Sequence, residues 1–326
     1  MKIGIIGGGA WGTALAQVAA AGGEIVRLWA LEPDVVAAIN TGHENPVYLA
    51  GVPLAPSIQA TGDLADLAGC DALLVVTPAQ HVRAMLGGLN AAGKPLVLCS
   101  KGIEAGTQLL VSEVAAEVQP DAAIAVLSGP TFAHEVAKGL PTAVTLACAD
   151  EAMAAALSAR LARPHFRPYA STDVIGAEIG GAVKNVLAIA CGVVEGRGLG
   201  LNARAALIAR GFAEMTRFGL AKGARAETLA GLSGLGDLVL TCSSTQSRNF
   251  SLGKGLGEGR DAAVMMADRK TVAEGAFTAP VLQQAARAIG VDMPVVDAVC
   301  ALLAGQADAE AVVGALLSRP LRAESL

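Results

Sequence analysis

Ile3-Gly4-Ile5-Ile6-Gly7-Gly8-Gly9-Ala10-Trp11-Gly12 opens the chain with an apolar run, a glycine turn and the start of a helical pattern. The glycines fall in the spacing G-x-G-x-x-G, with a candidate strand before and a candidate helix after. Gly7 permits the tight turn, Gly9 lets the backbone approach a pyrophosphate, and Gly12 lets the helix pack close to the strand. A helix that begins there presents free N–H groups and a partial positive charge to phosphates. The uncharged stretch from Ile3 to Gly23, behind Met1-Lys2, has the composition of a signal peptide or a membrane span. Its seven glycines argue instead for strand, turn and buried helix, and no other stretch reads as a span.

Outward from this turn, short apolar runs alternate with helical patterns as far as about residue 170. Candidate strands are Lys2–Ile6, Glu24–Trp29, Ala72–Val76, Pro95–Cys99, Ala123–Leu127 and Thr142–Cys148. Helical patterns fill Trp11–Ala21, Leu109–Val118 and Thr131–Lys138. Alternation of this kind implies βαβ units and a parallel sheet covered on both faces. The strands are apolar almost throughout, as burial on two faces requires. Beyond residue 173 the texture becomes Ala/Leu-rich and helical, clearest in Ile175–Val194 and Ala203–Phe218. The expected architecture is α/β: a Rossmann-type doubly wound sheet over residues 1–173, followed by a mainly α-helical C-terminal domain over 174–326.

Composition narrows the function classes. The chain has 326 residues, ample for a core without disulfide or metal staples. Hydrophobic residues make up 53% and charged residues 16%, which excludes intrinsic disorder. An aromatic share of 3% argues against a β-sandwich. The net charge of −5 disfavours a nucleic-acid partner. The six cysteines are scattered, with no C-x-x-C pair, and read as reduced thiols of a cytoplasmic protein. The four histidines show no metal-ligand spacing, so no metal is expected.

Chemistry-bearing residues lie at the expected strand ends and in the helical half. About 20 residues past the glycine turn, an acidic residue would bind the ribose 2′-hydroxyl of NAD. Glu32 stands there and would repel the 2′-phosphate of NADP; equally, Glu32 before Pro33 could only start a helix. Lys184 is the only charged residue between Glu178 and Glu195. It is either desolvated, with a lowered pKa suited to proton transfer, or it snorkels its amine to solvent. Asp237 lies in Gly-Leu-Gly-Asp-Leu, followed by Ser243, Ser244, Thr245, Ser247, Arg248 and Asn249. Those hydroxyls, amide and guanidinium suit a phosphate ester, or a polar loop that caps a helix. Lys101 and Ser128-Gly129-Pro130-Thr131 follow candidate strands, on the edge where open α/β sheets bind ligands; a surface lysine and a helix-starting turn are the alternatives.

Together these segments resemble the bacterial NAD(P)-dependent sn-glycerol-3-phosphate dehydrogenases. The resemblance rests on Gly-Gly-Gly-Ala-Trp-Gly-Thr-Ala-Leu-Ala at the N-terminus, Ser-Lys-Gly-Ile-Glu at 100–104 and Ser-Gly-Pro-Thr-Phe-Ala at 128–133. It continues through Ala-Val-Lys-Asn-Val at 182–186, Gly-Leu-Gly-Asp-Leu at 234–238, Ser-Arg-Asn at 247–249 and Val-Ala-Glu-Gly at 272–275. It implies hydride transfer between NAD(P)H and dihydroxyacetone phosphate, with Lys184 as proton donor and acceptor. Lys101, Gly129, Thr131, Lys184, Asp237, Ser247, Arg248 and Asn249 would surround the phosphorylated triose. Ala10, Trp11, Ala133, Val272 and Glu274 would join the glycine turn at the cofactor, and Lys101 and Arg248 would touch both. Many relatives carry His or Arg where this chain has Leu31-Glu32, which sides with NAD over NADP. The resemblance further implies supply of glycerol phosphate to phospholipid synthesis, and a homodimer is consistent with the Ala/Leu-rich helices. A β-hydroxy-acid dehydrogenase of related build and a non-catalytic NAD(H)-sensing protein are the competing expectations. The reading requires that Lys184 and Arg248 share one cavity.

Overall fold

The computed structural model describes residues 1–91, 93–266 and 273–318. The chain forms two compact units, one of residues 1–100 with 111–174, the other of 101–110 with 175–326. The ten residues 101–110, which the sequence leaves with the strand-rich half, thus pack with the helices. The cause is apolar: Ile103 and Leu110, bridged to each other across a short loop, are fully buried in the helical core.

The first unit is built on β1 (Ile3–Ile6), β2 (Val26–Trp29), β3 (Ile58–Thr61), β4 (Ala72–Val75), β5 (Leu96–Leu98), β6 (Ile124–Ser128), β7 (Thr142–Cys148) and β8 (Phe166–Ser171). They form one sheet in the order β3-β2-β1-β4-β5-β6-β7-β8. Its helices are α1 (Ala10–Ala20), α2 (Pro33–Gly42), α3 (Val82–Gly87), α4 (Val111–Val118), α5 (Ala133–Ala137) and α6 (Glu151–Leu161). β1 to β6 run parallel, whereas β7 pairs antiparallel to β6 and β8 runs parallel to β7. The expected all-parallel sheet therefore holds for six strands and reverses at the seventh. Two strands escape the sequence reading, β3 and β8, and both are sheet edges. β8 is largely solvent-facing, and β3, though mostly buried, carries Gln59 and Thr61 among its four residues, so neither shows the apolar run that marks a central strand. The strand order turns at β1/β4, the position where open α/β sheets place their ligand crevice. Gly7 follows β1 directly, and the loops after β2, β4, β5 and β6 open on the same edge.

The second unit is helical: α7 (Val174–Gly196), α8 (Gly200–Ala221), α9 (Ala226–Leu229), α10 (Asp237–Thr241), α11 (Arg248–Gly257), α12 (Ala262–Met266), α13 (Glu274–Ala288), α14 (Pro294–Leu303) and α15 (Ala309–Leu317). α7 is long and apolar enough to cross a membrane by length and composition, yet every residue from Gly176 to Val194 is buried within the protein. It is the central helix of this core. α11 meets α7 without intervening side chains. A Cβ on Gly253 would stand 1.9 Å from the Ile189 carbonyl oxygen, and one on Gly192 2.1 Å from that of Phe250. Further along, Gly196 and Gly257 face each other across the same seam. α14 is capped from a distance. Its N-cap residue Met293 has no side-chain acceptor, and Glu214 of α8 takes the N–H groups of Val295 and Val296 at 2.8 and 3.4 Å.

Candidate active site

The glycine turn is shaped by contact, not by sequence habit. Gly7 adopts φ +127°, and a Cβ there would lie 3.0 Å from the Val76 carbonyl oxygen. A Cβ on Gly12 would lie 1.9 Å from the Gly7 carbonyl oxygen, so only glycine lets α1 start this close to β1. Around Gly9 nothing stands within 4 Å of the added carbon. Gly9 is also the N-cap of α1 and supplies no side-chain cap, which leaves the first turn open to an anion. Trp11 Nε1, Thr77 Oγ1 and Ser128 Oγ are buried with no hydrogen-bond partner among the described residues. Thr77 follows β4 and Ser128 ends β6. Buried polar atoms left single at the ligand edge of a sheet fit a polar ligand that completes them. The open glycine backbone and these atoms together suit a dinucleotide.

Ala10 and Trp11 begin α1, and Ala133 begins α5. Glu32 is the N-cap residue of α2 but makes no side-chain cap; its Oε1 accepts from the Tyr48 hydroxyl at 2.8 Å. The backbone of Glu32 starts the helix, as the capping alternative expects, while its carboxylate takes no part in the cap. Gly129 and Thr131 belong to the sheet unit, where Thr131 Oγ1 donates to the Gly129 carbonyl at 3.2 Å.

In the helical unit Lys101 and Lys184 meet on one carboxylate, that of Asp237. Asp237 is fully buried at the start of α10, after a π-helical turn over Leu232–Gly236. Lys184 Nζ donates to its Oδ1 at 2.5 Å, and Lys101 Nζ donates to its Oδ2 at 2.7 Å. Lys184 also donates to Thr241 Oγ1 at 3.0 Å. Lys184 is 5% exposed, so the snorkelling alternative is excluded. Burial pushes its pKa down to about 8; Asp237 opposes that shift, and the second ammonium, Lys101, adds to it. Lys101 is held in place by the loop that buries Ile103, in which Thr107 donates to Glu104 at 2.6 Å.

Ser247, Arg248 and Asn249 sit at the start of α11. Ser247 is its N-cap and accepts from the Phe250 N–H at 3.2 Å, so the capping alternative holds for that hydroxyl. Asn249 is buried, and its Oδ1 accepts from the Gly275 N–H at 2.9 Å, tying α11 to the first turn of α13. Arg248 is exposed. Burial raises the Glu274 carboxyl, against the pull of Arg248, Lys101 and Lys184 in that order. All three cations thus act on one carboxylate within the helical unit. Val272 lies outside the described residues.

Sequence reasoning alone does not single out Thr241. The signal was available: it stands four residues after Asp237 on the same short helix, hence on the same face. Asn45 escapes sequence reasoning as well. Its amide bolts a distant loop to the glycine turn, and nothing in its neighbours announces that contact.

With this geometry in place, comparison with known proteins is direct. Residues 2–154 match the family model for the N-terminus of NAD-dependent glycerol-3-phosphate dehydrogenase, and residues 173–314 match the model for its C-terminus. A glycerol-3-phosphate dehydrogenase [NAD(P)+] of Sphingopyxis alaskensis is 66% identical, covering 99% of this chain and 98% of its own. That of Erythrobacter litoralis is 67% identical over the same shares of the two chains. The crystal structure of glycerol-3-phosphate dehydrogenase from Coxiella burnetii superposes with a TM-score of 0.93 at 39% identity, covering 98% of this chain and 99% of that one. The chain belongs to the NAD(P)-dependent glycerol-3-phosphate dehydrogenase family, oxidoreductases that interconvert dihydroxyacetone phosphate and sn-glycerol 3-phosphate.

Proposed function

We propose that Lys184 is the group that moves the proton in this interconversion, and that the helical unit recognises the phosphorylated triose. When bound, the dinucleotide supplies or accepts the hydride. In the direction of reduction, the Lys184 ammonium gives a proton to the carbonyl oxygen as it becomes a hydroxyl. In the reverse direction the neutral amine takes it back. Asp237 and Thr241 orient Nζ, and Lys101 places a second positive charge against the same carboxylate. Arg248, with Ser247 and Asn249 beside it at the start of α11, supplies the charge-assisted hydrogen bonds a phosphate ester requires. Gly129 and Thr131 are assigned to the substrate as well, and Ala133, Val272 and Glu274 to the dinucleotide. Glu32 gives NAD the preference over NADP.

The observation that carries this reading is the buried ammonium whose pKa falls to about 8 on a wholly buried carboxylate. An acid–base group performs best when its pKa lies near the working pH. The sign follows: reduction needs the ammonium and should fall as pH rises through about 8, whereas oxidation should rise over the same interval. Replacing Lys184 with Ala should lower kcat about 10²–10⁴-fold, with NADH binding by fluorescence titration retained. Near-normal turnover in that variant, or equal turnover of dihydroxyacetone and its phosphate by the unaltered protein, would reject the assignment.

Placement in the cytoplasm accords with the six free cysteines. A homodimer accords with the exposed apolar side chains of Leu199 and Leu201 at the start of α8. Supply of glycerol phosphate to phospholipid synthesis accords with the product.

A further inference from the structure

Between α2 and β3, residues 43–57 form neither helix nor strand, yet this loop is fastened firmly to the glycine turn. Asn45 is fully buried. Its amide nitrogen donates to the Gly8 carbonyl at 2.8 Å and to Thr13 Oγ1 at 2.9 Å. Its amide oxygen accepts from the Tyr48 N–H at 3.1 Å. Further along, the Ala55 N–H donates to Gln17 Oε1 at 2.9 Å, which ties the loop to α1 a second time. The Leu54 N–H donates to the His43 carbonyl at 2.8 Å and closes the loop on itself. Tyr48 is therefore presented from a fixed backbone, and its hydroxyl ends on Glu32 Oε1 at 2.8 Å.

The arrangement has chemical consequences for the carboxylate. The short acceptors Ser, Thr, Asp and Asn at an N-cap turn their oxygens to the first-turn N–H groups; Glu32, one carbon longer than Asp, does not. One oxygen is occupied by a phenol that donates, and the other remains an acceptor. Neither neighbour in the chain, Leu31 or Pro33, is a cation, and Asp34 adds a second negative charge in the first turn of α2. The contact also holds the Tyr48 proton: the hydrogen bond to Glu32, then burial, then the negative charge of Glu32 raise the phenol above its ordinary range.

We propose that Tyr48 is a positioning residue for dinucleotide selection: anchored through Asn45 to the glycine turn, its hydroxyl pre-orients Glu32 to accept from an unphosphorylated ribose and to disfavour a 2′-phosphate. This rests on the reading of Glu32 as the ribose-binding acid. Pre-orientation lowers the ordering cost that a free glutamate side chain would meet on binding. Its loss should be felt only by the ligand that uses the carboxylate.

The test is a set of dissociation constants for NADH and for NADPH, measured by fluorescence titration on the unaltered protein, Tyr48→Phe, Glu32→Gln and the double variant. Tyr48→Phe should weaken NADH about 3- to 10-fold, the size of one hydrogen bond, and leave NADPH unchanged or tighter. Glu32→Gln should weaken NADH and tighten NADPH, and the double variant should be no worse for NADH than Glu32→Gln alone. If Glu32→Gln shifts the ratio but Tyr48→Phe moves both ligands equally or neither, Tyr48 has no positioning role and the reading of Glu32 survives. If Glu32→Gln leaves the ratio unchanged, the reading of Glu32 falls and takes the role of Tyr48 with it.

Discussion

In the sheet unit the candidate binding surface is made of backbone and empty space; in the helical unit it is made of buried charge. At the glycine turn the residues act by what they lack. Gly12 has no room for one more carbon, and Gly9 has nothing around it. Around Asp237 the residues act by what they carry: two ammonium groups and a threonine on one carboxylate with no exposed surface. The two kinds of site differ in how they fail. A backbone site is indifferent to pH and intolerant of volume. A charge site tolerates small changes of volume and depends on every partner remaining ionised or paired.

The sharpest way to break this contrast is to remove Asp237. Asp237→Ala leaves two ammonium groups without their shared counter-charge, and breaking such a buried pair costs on the order of 3–5 kcal/mol. Thermal unfolding should show that loss. Turnover should fall at least about 10²-fold, and the fall of reduction with rising pH should move to lower pH, because Asp237 is what holds the Lys184 pKa up.

Gly12→Ala attacks the other unit. Its Cβ would overlap the Gly7 carbonyl oxygen, and relieving that overlap costs about 1–3 kcal/mol. NADH affinity should drop about 10- to 100-fold at every pH, by titration. The midpoint of the pH–rate profile should stay where it is. A shift of that midpoint would show that the two sites are not independent in the way the comparison holds.

The smallest effect concerns a buried charge with no part in the chemistry. Glu214 caps α14, and burial pushes its carboxyl up to about 7 despite the two N–H groups it accepts. In the folded state it binds a proton that the unfolded chain, with the ordinary value of 4.5, has already lost. Stability from this group is thus full below about 4.5 and is lost as pH rises through about 7. Glu214→Gln should flatten the melting temperature across that interval. The same slope in both proteins would locate its origin elsewhere.

The contrast also explains how far the sequence could be read. The glycine turn was legible because its reasons are local: each glycine answers to a neighbour within a few residues or to the next strand. The greasy setting of Lys184 was legible for the same reason. Its partners are implied only by the family resemblance and not by any local pattern, since Asp237 lies 53 residues away in the chain from Lys184 and 136 from Lys101. Only the packed helices bring them together. β3 and β8 went unread because neither carries the apolar run of a central strand. Glu32 was found by its distance from the turn, whereas Tyr48 carries no motif; its role depends on Asn45, whose contacts span 37 and 32 residues.

The seam between α7 and α11 has a bearing on how this enzyme can change. Where two helices touch through their main chains there is no cushion of side chains to absorb an error. One methyl added on either side would force α7 and α11 apart, because the contact is backbone on backbone. Variation along that line is therefore expected in compensating pairs or not at all, and random libraries should leave Gly192 and Gly253 empty-handed while the outer faces of the same helices drift freely.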